Sequence, residues 1–438
     1  MITNLIGRTF LEAYNNKYQK NYSPKDFFEQ EYFEVFFNHV KYMQWVTNSP
    51  FVQMKKGQKT ELLSVSDRKE KLSNLHEKIK DEEPDASFAL GFPASEVKDY
   101  ASTSGQVSDV MIPVSDEDIY LSWIGSGLGI GLAGGYNLLF NDTEITLKTF
   151  EGWKVYRKYL NDKTLDKMRG NQINSWNGQW LRYLLGGDFQ EDFDFSRLVN
   201  EDIFKVESSL IEVNTVNWSL LFFSLSQLYP DKELTAYVYS FGQTNKTIGF
   251  IPFQLKEGTN LRNVYSKLYG DEYSFNSKEF ESLFGIHIKR ACELGSIGIQ
   301  ALRPEGLKKY MFDIKNLSFK KEEDNIIYHA YKTWLIAMLS KNKEEIIDYT
   351  LELAKSILKY RNSGKGNARI TLVENELFSS KSKKGFIESL TIVVSEVEGD
   401  DLLRFKKLKD EIHLMTNEEF GYFCTLLKFD YAFVKKQS

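Results

Sequence analysis

"SWIGSGLGIGLAGGYNLLF", residues 122–140, contains six glycines and decides between two classes of fold. Within it, Gly129, Gly131 and Gly134 have the Gly-x-Gly-x-x-Gly spacing of a dinucleotide-binding loop, which belongs to doubly wound α/β proteins. That loop needs a helix directly after it, because the helix N-terminus holds the pyrophosphate. Here the next segment, "YNLLFNDTEITL", has the pattern of a strand that runs into an Asn-Asp turn. The alternating glycines therefore favour close packing of backbone over nucleotide binding.

The composition describes a globular chain without a strong electrostatic character. The 438 residues are enough for roughly two or three domains, and 42% hydrophobic with 27% charged residues exclude a disordered chain. A net charge of -5 argues against a protein that coats nucleic acid, although it permits one local contact patch. No apolar run approaches the roughly 18 residues of a membrane span, and no signal peptide is evident, so we expect no membrane association.

The two cysteines, Cys292 and Cys424, form no C-x-x-C pair. This excludes a disulfide framework and a cysteine-based zinc site. We expect both to be buried, reduced thiols in a cytoplasmic protein.

Periodicity predicts an α+β fold in three regions. Apolar residues recur at helical spacing over an N-terminal region, 1–100, and over a C-terminal helical bundle, 316–438. Between them, 101–315 has the mixed pattern of an α/β domain with short antiparallel strands. "DVMIPVS" (109–115) and "DIYLSWIG" (118–125) are expected to be strands of that domain.

Two further segments of the central domain have clear patterns. "ELTAYVYSFGQTNKTIGFIPFQL", residues 233–255, predicts a β-hairpin, since two β-rich runs flank a polar turn. "KEFESLFGIHIKRACEL", residues 278–294, predicts one helix.

The bundle contains the strongest helical signals. Residues 342–360 place five apolar side chains on one helical stripe, and Thr416 and Glu419 form a capping box at the start of the last helix. The stripe consists of Ile346, Tyr349, Leu353, Ile357 and Tyr360.

No pattern in the chain requires catalysis. No two of the five histidines have the three- or four-residue spacing that places two metal ligands on one helix face, and no Gly-x-Ser-x-Gly elbow occurs. The acidic cluster at 398–401 is typical of a helix start. We expect no enzyme activity, no metal and no cofactor.

Several pieces, in this order, carry a resemblance to a known family. They are "MIPVS", the glycine-rich segment, "LKTFEGWKVYRKYL", "GNQINSWNGQWLRYL", "YVYSFGQTNKTIGFIPF" and the helical C-terminus. Together they resemble the large subunit of type I CRISPR interference complexes (Cascade) of the I-B kind. The usual members carry paired C-x-x-C zinc motifs about where this chain has its glycines, so no zinc site is carried over.

The resemblance implies a non-catalytic subunit at the 5′ end of a guide RNA. Such a subunit contributes to recognition of the protospacer-adjacent motif, to duplex opening and to recruitment of a helicase-nuclease. Its implied partners are the CRISPR RNA, the target DNA, the backbone and 5′-end Cascade subunits and the helicase-nuclease.

Candidate contacts to DNA are amides that offer donors and acceptors to base edges and lysines that neutralise phosphates. Trp176 and Trp180 lie among the amides and offer stacking surfaces. An alternative interpretation is that the amides cap turns and the lysines form ordinary solvated surface. The candidates are Lys55, Lys56, Asn174, Asn177, Gln243, Asn245, Lys246, Lys381, Lys383 and Lys384.

Two other functions stay open on the sequence alone. One is a scaffold or interaction protein of an unrelated system with no nucleic-acid role, which the acidic composition favours. The other is a nucleotide-dependent enzyme built on the glycine-rich segment.

Overall fold

A computed structural model describes most of the chain and divides it into two compact units, Met1–Leu255 (unit 1) and Lys256–Ser438 (unit 2). The described residues are 2–45, 49–81, 114–186, 189–191, 194–240, 246–269, 277–311, 322–339, 343–364 and 366–438. The structure is α+β, as the sequence predicts, with helices predominating over small antiparallel sheets.

Unit 1 combines the region expected to be a separate helical domain with much of the mixed central domain. Its helices are α1 (Ile2–Tyr18), α2 (Pro24–Phe27), α3 (Phe33–Phe36), α4 (Val65–Asp81), α5 (Asp116–Gly127), α6 (Thr143–Asn161), α7 (Ile173–Leu184), α8 (Phe195–Asn200) and α9 (Trp218–Leu228). Its strands are β1 (Ile130–Leu132), β2 (Tyr136–Phe140), β3 (Phe204–Glu207), β4 (Leu210–Val213), β5 (Leu234–Ser240) and β6 (Lys246–Phe253). The three predicted regions therefore differ from the two observed units.

The segment 118–125 is part of helix α5, so the strand prediction for it is wrong; residues 109–113 lie outside the described residues. Ser115 and Asp118 form a capping box that starts this helix. Every residue from Ile119 to Gly127 is buried, so the helix has no polar face and shows no helical period.

Helices α1 and α5 pack backbone to backbone in the core of unit 1. A Cβ on Gly7 would lie 2.0 Å from the carbonyl oxygen of Leu121, and one on Gly125 would lie 1.9 Å from that of Thr3. The hydroxyls of Thr3 and Ser122 hydrogen bond across this contact at 2.7 Å. Glycine is therefore required where the two helices touch.

The remaining glycines of the run form a hairpin and its packing surface. Strands β1 and β2 pair antiparallel around a turn in which Gly134 and Gly135 have φ of 89° and 76°, which glycine adopts without strain. A Cβ on Gly178 of α7 would lie 2.5 Å from the carbonyl oxygen of Gly131, so β1 and α7 also meet at their backbones. The helix precedes the glycines and a strand follows them, which is the reverse of a dinucleotide loop.

The main sheet of unit 1 has the strand order β1-β2-β5-β6, with all neighbours antiparallel. The predicted hairpin over 233–255 is confirmed as β5 and β6. One face of the sheet buries Phe140 and Phe253 against Phe222 of α9. A separate two-stranded sheet pairs β3 with β4.

Unit 2 contains a small α/β part followed by the helical bundle. Its elements are α10 (Leu255–Tyr269, starting at the unit boundary), α11 (Ser277–Ser282), β7 (Phe284–Ile286), α12 (Ile288–Leu294), β8 (Leu302–Pro304), α13 (Leu307–Met311), α14 (Glu322–Leu339), α15 (Lys343–Asn362), α16 (Ala368–Thr371), α17 (Lys383–Val394), α18 (Asp400–Leu414) and α19 (Asn417–Gln437).

The single helix predicted over 278–294 is wrong, because β7 interrupts it and pairs with β8. The backbone amide of Glu305 donates to the carbonyl of Leu283 at 2.9 Å and continues this short ladder. A pairing with residues nearly twenty positions later leaves no local signal in the sequence.

The bundle packs α19 against α14 and α15. Leu353, Ile357 and Tyr360 of the predicted stripe are buried, and the capping box of Thr416 and Glu419 starts α19 as expected. Cys424 is buried in this core, whereas Cys292 is exposed, which corrects the expectation for that thiol.

Within the described part of the chain, none of the helices combines the length and the apolar character needed to cross a membrane.

Candidate nucleic-acid interface

The β5–β6 hairpin presents aromatic side chains on the sheet face opposite α9. The strand register places Leu139, Tyr237 and Phe250 in one row across β2, β5 and β6. Exposure rises along this row: Leu139 is 1% exposed, Tyr237 is half-buried and Phe250 is 65% exposed. We call Tyr237 and Phe250 the aromatic face.

Local contacts fix the geometry of the aromatic face. The rings of Tyr237 and Phe250 meet edge to face, with 5.3 Å between their centroids. The hydroxyl of Tyr237 hydrogen bonds to that of Thr247 at 3.0 Å. A β-bulge at Gly249, whose φ is 114°, shifts the register next to Phe250 and bends the edge strand.

Beside the aromatic face, Tyr239 is buried, and burial raises the pKa of its hydroxyl well above the usual value. This side chain is neutral at physiological pH. The exposed ring of Phe250 in the aromatic face suits stacking with a planar group.

Phe250 and Tyr237 are not among the site residues predicted from the sequence. The signal was present, since β5 alternates Tyr237, Val238 and Tyr239 and β6 carries Phe250 opposite Tyr237. Which face of the hairpin is covered depends on helices elsewhere in the chain, so the sequence does not mark Phe250 as exposed.

In sequence, the polar residues 241–245 connect the same two strands. Gln243 and Asn245 lie outside the described residues, so their assignment stays a prediction. Lys246 is the first residue of β6 and pairs with Ser240 in the strand register.

Asn177 has a structural role, which argues against its assignment as a base-reading amide, whereas Asn174 is half-buried and its assignment stays a prediction. The carboxamide of Asn177 is fully buried and donates to the carbonyls of Gly127 and Gly129, each at 2.8 Å. Asn174 donates to Gly129 at 2.9 Å. These amides satisfy carbonyls at the end of α5, where no further helical turn supplies donors.

Trp176 and Trp180 are equally unavailable for stacking on bases. Both rings are buried, and their indole N–H groups donate to the carbonyls of Gly152 and Lys148 at 2.7 and 2.8 Å. The polar, aromatic segment therefore belongs to the core of unit 1.

Lys55 and Lys56 are exposed on the loop before α4. Lys55 borders a depression of about 620 Å³ whose lining carries more carboxylates than lysines. Its charged residues are Lys55, Lys71, Lys78, Asp67, Glu70, Glu77 and Asp81. The geometry favours a solvated, mixed-charge surface over a phosphate contact at Lys55.

The three bundle lysines differ in their surroundings. The ammonium of Lys383 donates to the carbonyl of Met415 and so is engaged within the bundle. Lys381 is exposed, and the side chain of Lys384 is 86% exposed with Glu388 at 3.8 Å. Lys381 and Lys384 therefore remain available to a ligand.

The stretch 361–384 around these lysines is less basic than its sequence indicates. Arg361 pairs with Glu374 at 3.3 Å, and Arg369 pairs with Glu396 at 2.7 Å. Part of this stretch is helical, as α16 and a following π-helical turn.

A groove of about 510 Å³ in unit 2 was not anticipated. It has an apolar floor beside the β7–β8 ribbon and a rim of four cationic and two acidic side chains. The rim consists of Lys289, Arg290, Arg303, Lys308, Glu293 and Glu305. Both arginines lie near Glu418, at 3.5 and 3.9 Å, whereas neither lysine has a carboxylate partner among the described residues.

Among the described residues, no group of three or more histidine, cysteine or acidic side chains is arranged to hold a metal ion. Asp401 of the acidic cluster instead hydrogen bonds to Ser356 at 2.6 Å and pairs with Lys359 at 2.9 Å, contacts that lower the pKa of its carboxyl against the opposing effect of burial.

No protein-family model, curated protein or solved structure matches this chain. A functional assignment therefore depends on the geometry of the described residues and on the family resemblance of the sequence segments quoted above.

Proposed function

We propose that this chain is a non-catalytic, nucleic-acid-binding subunit of an RNA-guided DNA surveillance complex, similar to the large subunit of type I CRISPR interference complexes. It acts in the cytoplasm with a CRISPR RNA, target DNA, backbone and 5′-end subunits and a helicase-nuclease. In such an assembly base pairing reads the sequence, while the protein reads a short duplex motif and holds displaced strand.

The aromatic face is the observation that supports this proposal most. Phe250 is a large apolar ring, 65% exposed, backed by a second ring that fixes its orientation. Bases stack on such rings whatever their sequence, because every base has a π-face. A subunit that receives unpaired strand from an opened duplex requires this kind of surface.

The polar hairpin tip complements stacking with hydrogen bonding. β5 and β6 are the strands that carry the aromatic face, and residues 241–245 connect them. Amides of Gln243 and Asn245 offer donors and acceptors to base edges.

The charge distribution limits how such a subunit binds. With a net charge of -5, the isolated chain lacks the general attraction of a basic protein for nucleic acid. Local cations at Lys381, Lys384 and the rim of the groove in unit 2 supply phosphate contacts. Tight binding is then expected from the assembled complex.

Co-purification tests the proposal. The chain is tagged and expressed with the genes that flank it, and the purified material is treated with ribonuclease or left untreated. We expect sister subunits and ribonuclease-sensitive RNA of uniform length to accompany the chain. Recovery of the chain with sister subunits but no nucleic acid would instead identify a scaffold and refute the proposal.

A further inference from the structure

The groove of unit 2 brings two arginine side chains to one carboxylate. Nη2 of Arg290 lies 3.5 Å from Oε2 of Glu418, and Nη2 of Arg303 lies 3.9 Å from Oε1 of the same side chain. Both arginines line the cavity of about 510 Å³. The two guanidinium groups therefore converge on a place that an anion already occupies.

Glu418 holds these arginines only loosely. Hydrogen bonds between guanidinium and carboxylate groups are about 2.7–2.9 Å long, and both contacts of Glu418 are well beyond that length. Its short hydrogen bond comes instead from the hydroxyl of Tyr422, at 2.5 Å. Because the side chain of Glu418 is 51% exposed in the first turn of α19, its carboxylate is free to turn towards solvent when another anion arrives.

Other contacts fix the directions of the two arginines. Nη2 of Arg303 donates to the hydroxyl of Tyr422 at 3.2 Å, and its guanidinium group lies over the ring of Trp334, 5.5 Å from the ring centre. Nη1 of Arg290 lies 3.6 Å from Glu293. Both arginines are partly buried, which strengthens their attraction for an anion relative to water. The donors are therefore ordered before a ligand binds.

Further donors line the same cavity. Nδ1 of His287 accepts a hydrogen bond from the backbone amide of Arg290 at 3.3 Å, so the neutral imidazole carries its proton on Nε2. Lys289 and Lys308 are exposed. The four cations of the rim exceed its two acidic side chains, although the whole chain has a net charge of -5. The groove therefore concentrates positive charge on an acidic protein.

The floor of the groove is apolar and favours a non-aromatic body. Ile286, Ala301 and Pro304 contribute to it along the β7–β8 ribbon. Among the described residues that line the groove, none carries a phenyl, phenol or indole ring on which a base could stack. The volume is within the range of small-ligand sites. Such a floor suits the C–H groups of a sugar better than a nucleobase.

We propose that this groove binds a phosphate monoester of a sugar, with the phosphate between Arg290 and Arg303 in place of the Glu418 carboxylate and the sugar over the apolar floor. A phosphate monoester carries a charge of about -1.5 to -2 at pH 7 and three acceptor oxygens. It therefore bonds to both guanidinium groups, whereas the carboxylate reaches neither at short distance.

The site does not depend on the proposed nucleic-acid function, because a free sugar phosphate satisfies its chemistry. The 5′-phosphorylated end of a strand is the other source of the same group, and the experiment distinguishes the two sources.

Isothermal titration calorimetry of the full chain with ribose 5-phosphate tests the site. Glu418→Gln keeps an acceptor for the hydroxyl of Tyr422 but removes the competing charge, so we expect it to bind several-fold more tightly than the wild-type chain. Arg290→Met is expected to weaken binding about tenfold or more, through loss of a hydrogen bond to a charged group. Glu352→Gln is the matched control, because it removes a carboxylate that pairs with Arg404 at 3.3 Å but does not line the groove.

The gain in affinity keeps the test valid if Arg290→Met does not fold, since an unfolded variant cannot bind more tightly. A short 5′-phosphorylated oligonucleotide and its 5′-hydroxyl form are titrated in parallel. Tighter binding of the phosphorylated strand than of ribose 5-phosphate would assign the site to a strand end, and the reverse order would assign it to a free sugar phosphate. Equal affinity of Glu418→Gln and the wild-type chain, or no saturable heat with any phosphorylated probe in either protein, would overturn the proposal.

Discussion

The ring of Phe250 lies edge to face against the ring of Tyr237, with 5.3 Å between the centroids, on an otherwise exposed strand edge. Strand register and a hydrogen bond between the hydroxyls of Tyr237 and Thr247 hold the pair in place. The relationship matters because a supported, exposed ring keeps a fixed orientation, and a free exposed ring does not. The proposed function depends on this arrangement in unit 1.

Substitution of Gly7 by alanine is expected to disrupt unit 1. The added Cβ would lie 2.0 Å from the carbonyl oxygen of Leu121, so α1 and α5 would have to separate. We expect a loss of about 3 kcal/mol or more in the free energy of unfolding. Urea unfolding measures this. Gly421→Ala in α19 is the control, since its Cβ finds only Met311 at 3.9 Å and the change is expected to be neutral or stabilising. Equal stability of the two variants would refute the close helix contact.

Asn177→Ala is expected to destabilise the chain without a specific effect on nucleic-acid binding. The substitution removes the side-chain donor to the carbonyl of Gly127 and leaves that of Gly129 with Asn174 alone, at a loss of about 1–3 kcal/mol. The exposed Asn171→Ala serves as the control in the same urea titration. If Asn177→Ala retained full stability but lost DNA binding, the base-reading interpretation would be restored.

The free energy of unfolding is expected to decrease as the pH is lowered, in part because of His39. Its pKa is about 4 in the folded chain and 6.5 ordinarily, so the unfolded chain binds the proton more readily. The contribution of neutral His39 to the free energy of unfolding is fully present above pH 6.5. It is lost as the pH falls towards 4, which lowers the free energy of unfolding by about 2–3 kcal/mol. His39→Asn keeps an acceptor for the amide of Lys41, which donates to Nδ1 at 3.0 Å, and removes the titration.

The measurement for His39 is Tm against pH from 7 to 4 in phosphate-free buffer. The difference between the wild-type chain and His39→Asn isolates this group from the carboxylates and from His329, whose pKa is also lowered to about 4 by burial. Parallel curves for the two proteins would contradict the prediction.

Reversal of charge at Lys381 and Lys384 is expected to weaken DNA binding by the assembled complex. Each exposed lysine that contacts a phosphate adds about one to the slope of log affinity against log salt. The double variant Lys381→Glu/Lys384→Glu should therefore reduce that slope by up to two. Lys158→Glu/Lys163→Glu, which changes two exposed lysines of unit 1, is the control. An unchanged slope would assign the bundle lysines to ordinary solvated surface.

The sequence predicted the elements whose signals are local. The β5–β6 hairpin has alternating β-rich runs around a polar turn, and the start of α19 has its capping box in four consecutive residues. The prediction for the segment of helix α5 was wrong because burial on all sides removes the polar face that would reveal a helical period. The prediction for the segment of strand β7 was wrong because its partner strand, β8, lies well downstream in the sequence.

The sites were harder to predict, since they depend on contacts between distant residues. Asn177 resembles a base reader in sequence until the carbonyls of Gly127 and Gly129 are found beside it. Arg157 resembles a surface residue of an amphipathic helix, and only the folded chain places it against the carbonyl of Val35. The local sequence around Asn177 and Arg157 does not indicate either contact.

Binding of a fluorescent single-stranded oligonucleotide by the assembled complex, followed by anisotropy, tests the central claim most directly. Phe250→Ala is compared with Phe433→Ala, which removes an exposed ring (44%) from α19 outside the aromatic face. Loss of one stacked base, worth about 1–3 kcal/mol, predicts a Kd raised roughly 5- to 150-fold for Phe250→Ala and unchanged for Phe433→Ala. Identical Kd values for the two variants would contradict the account.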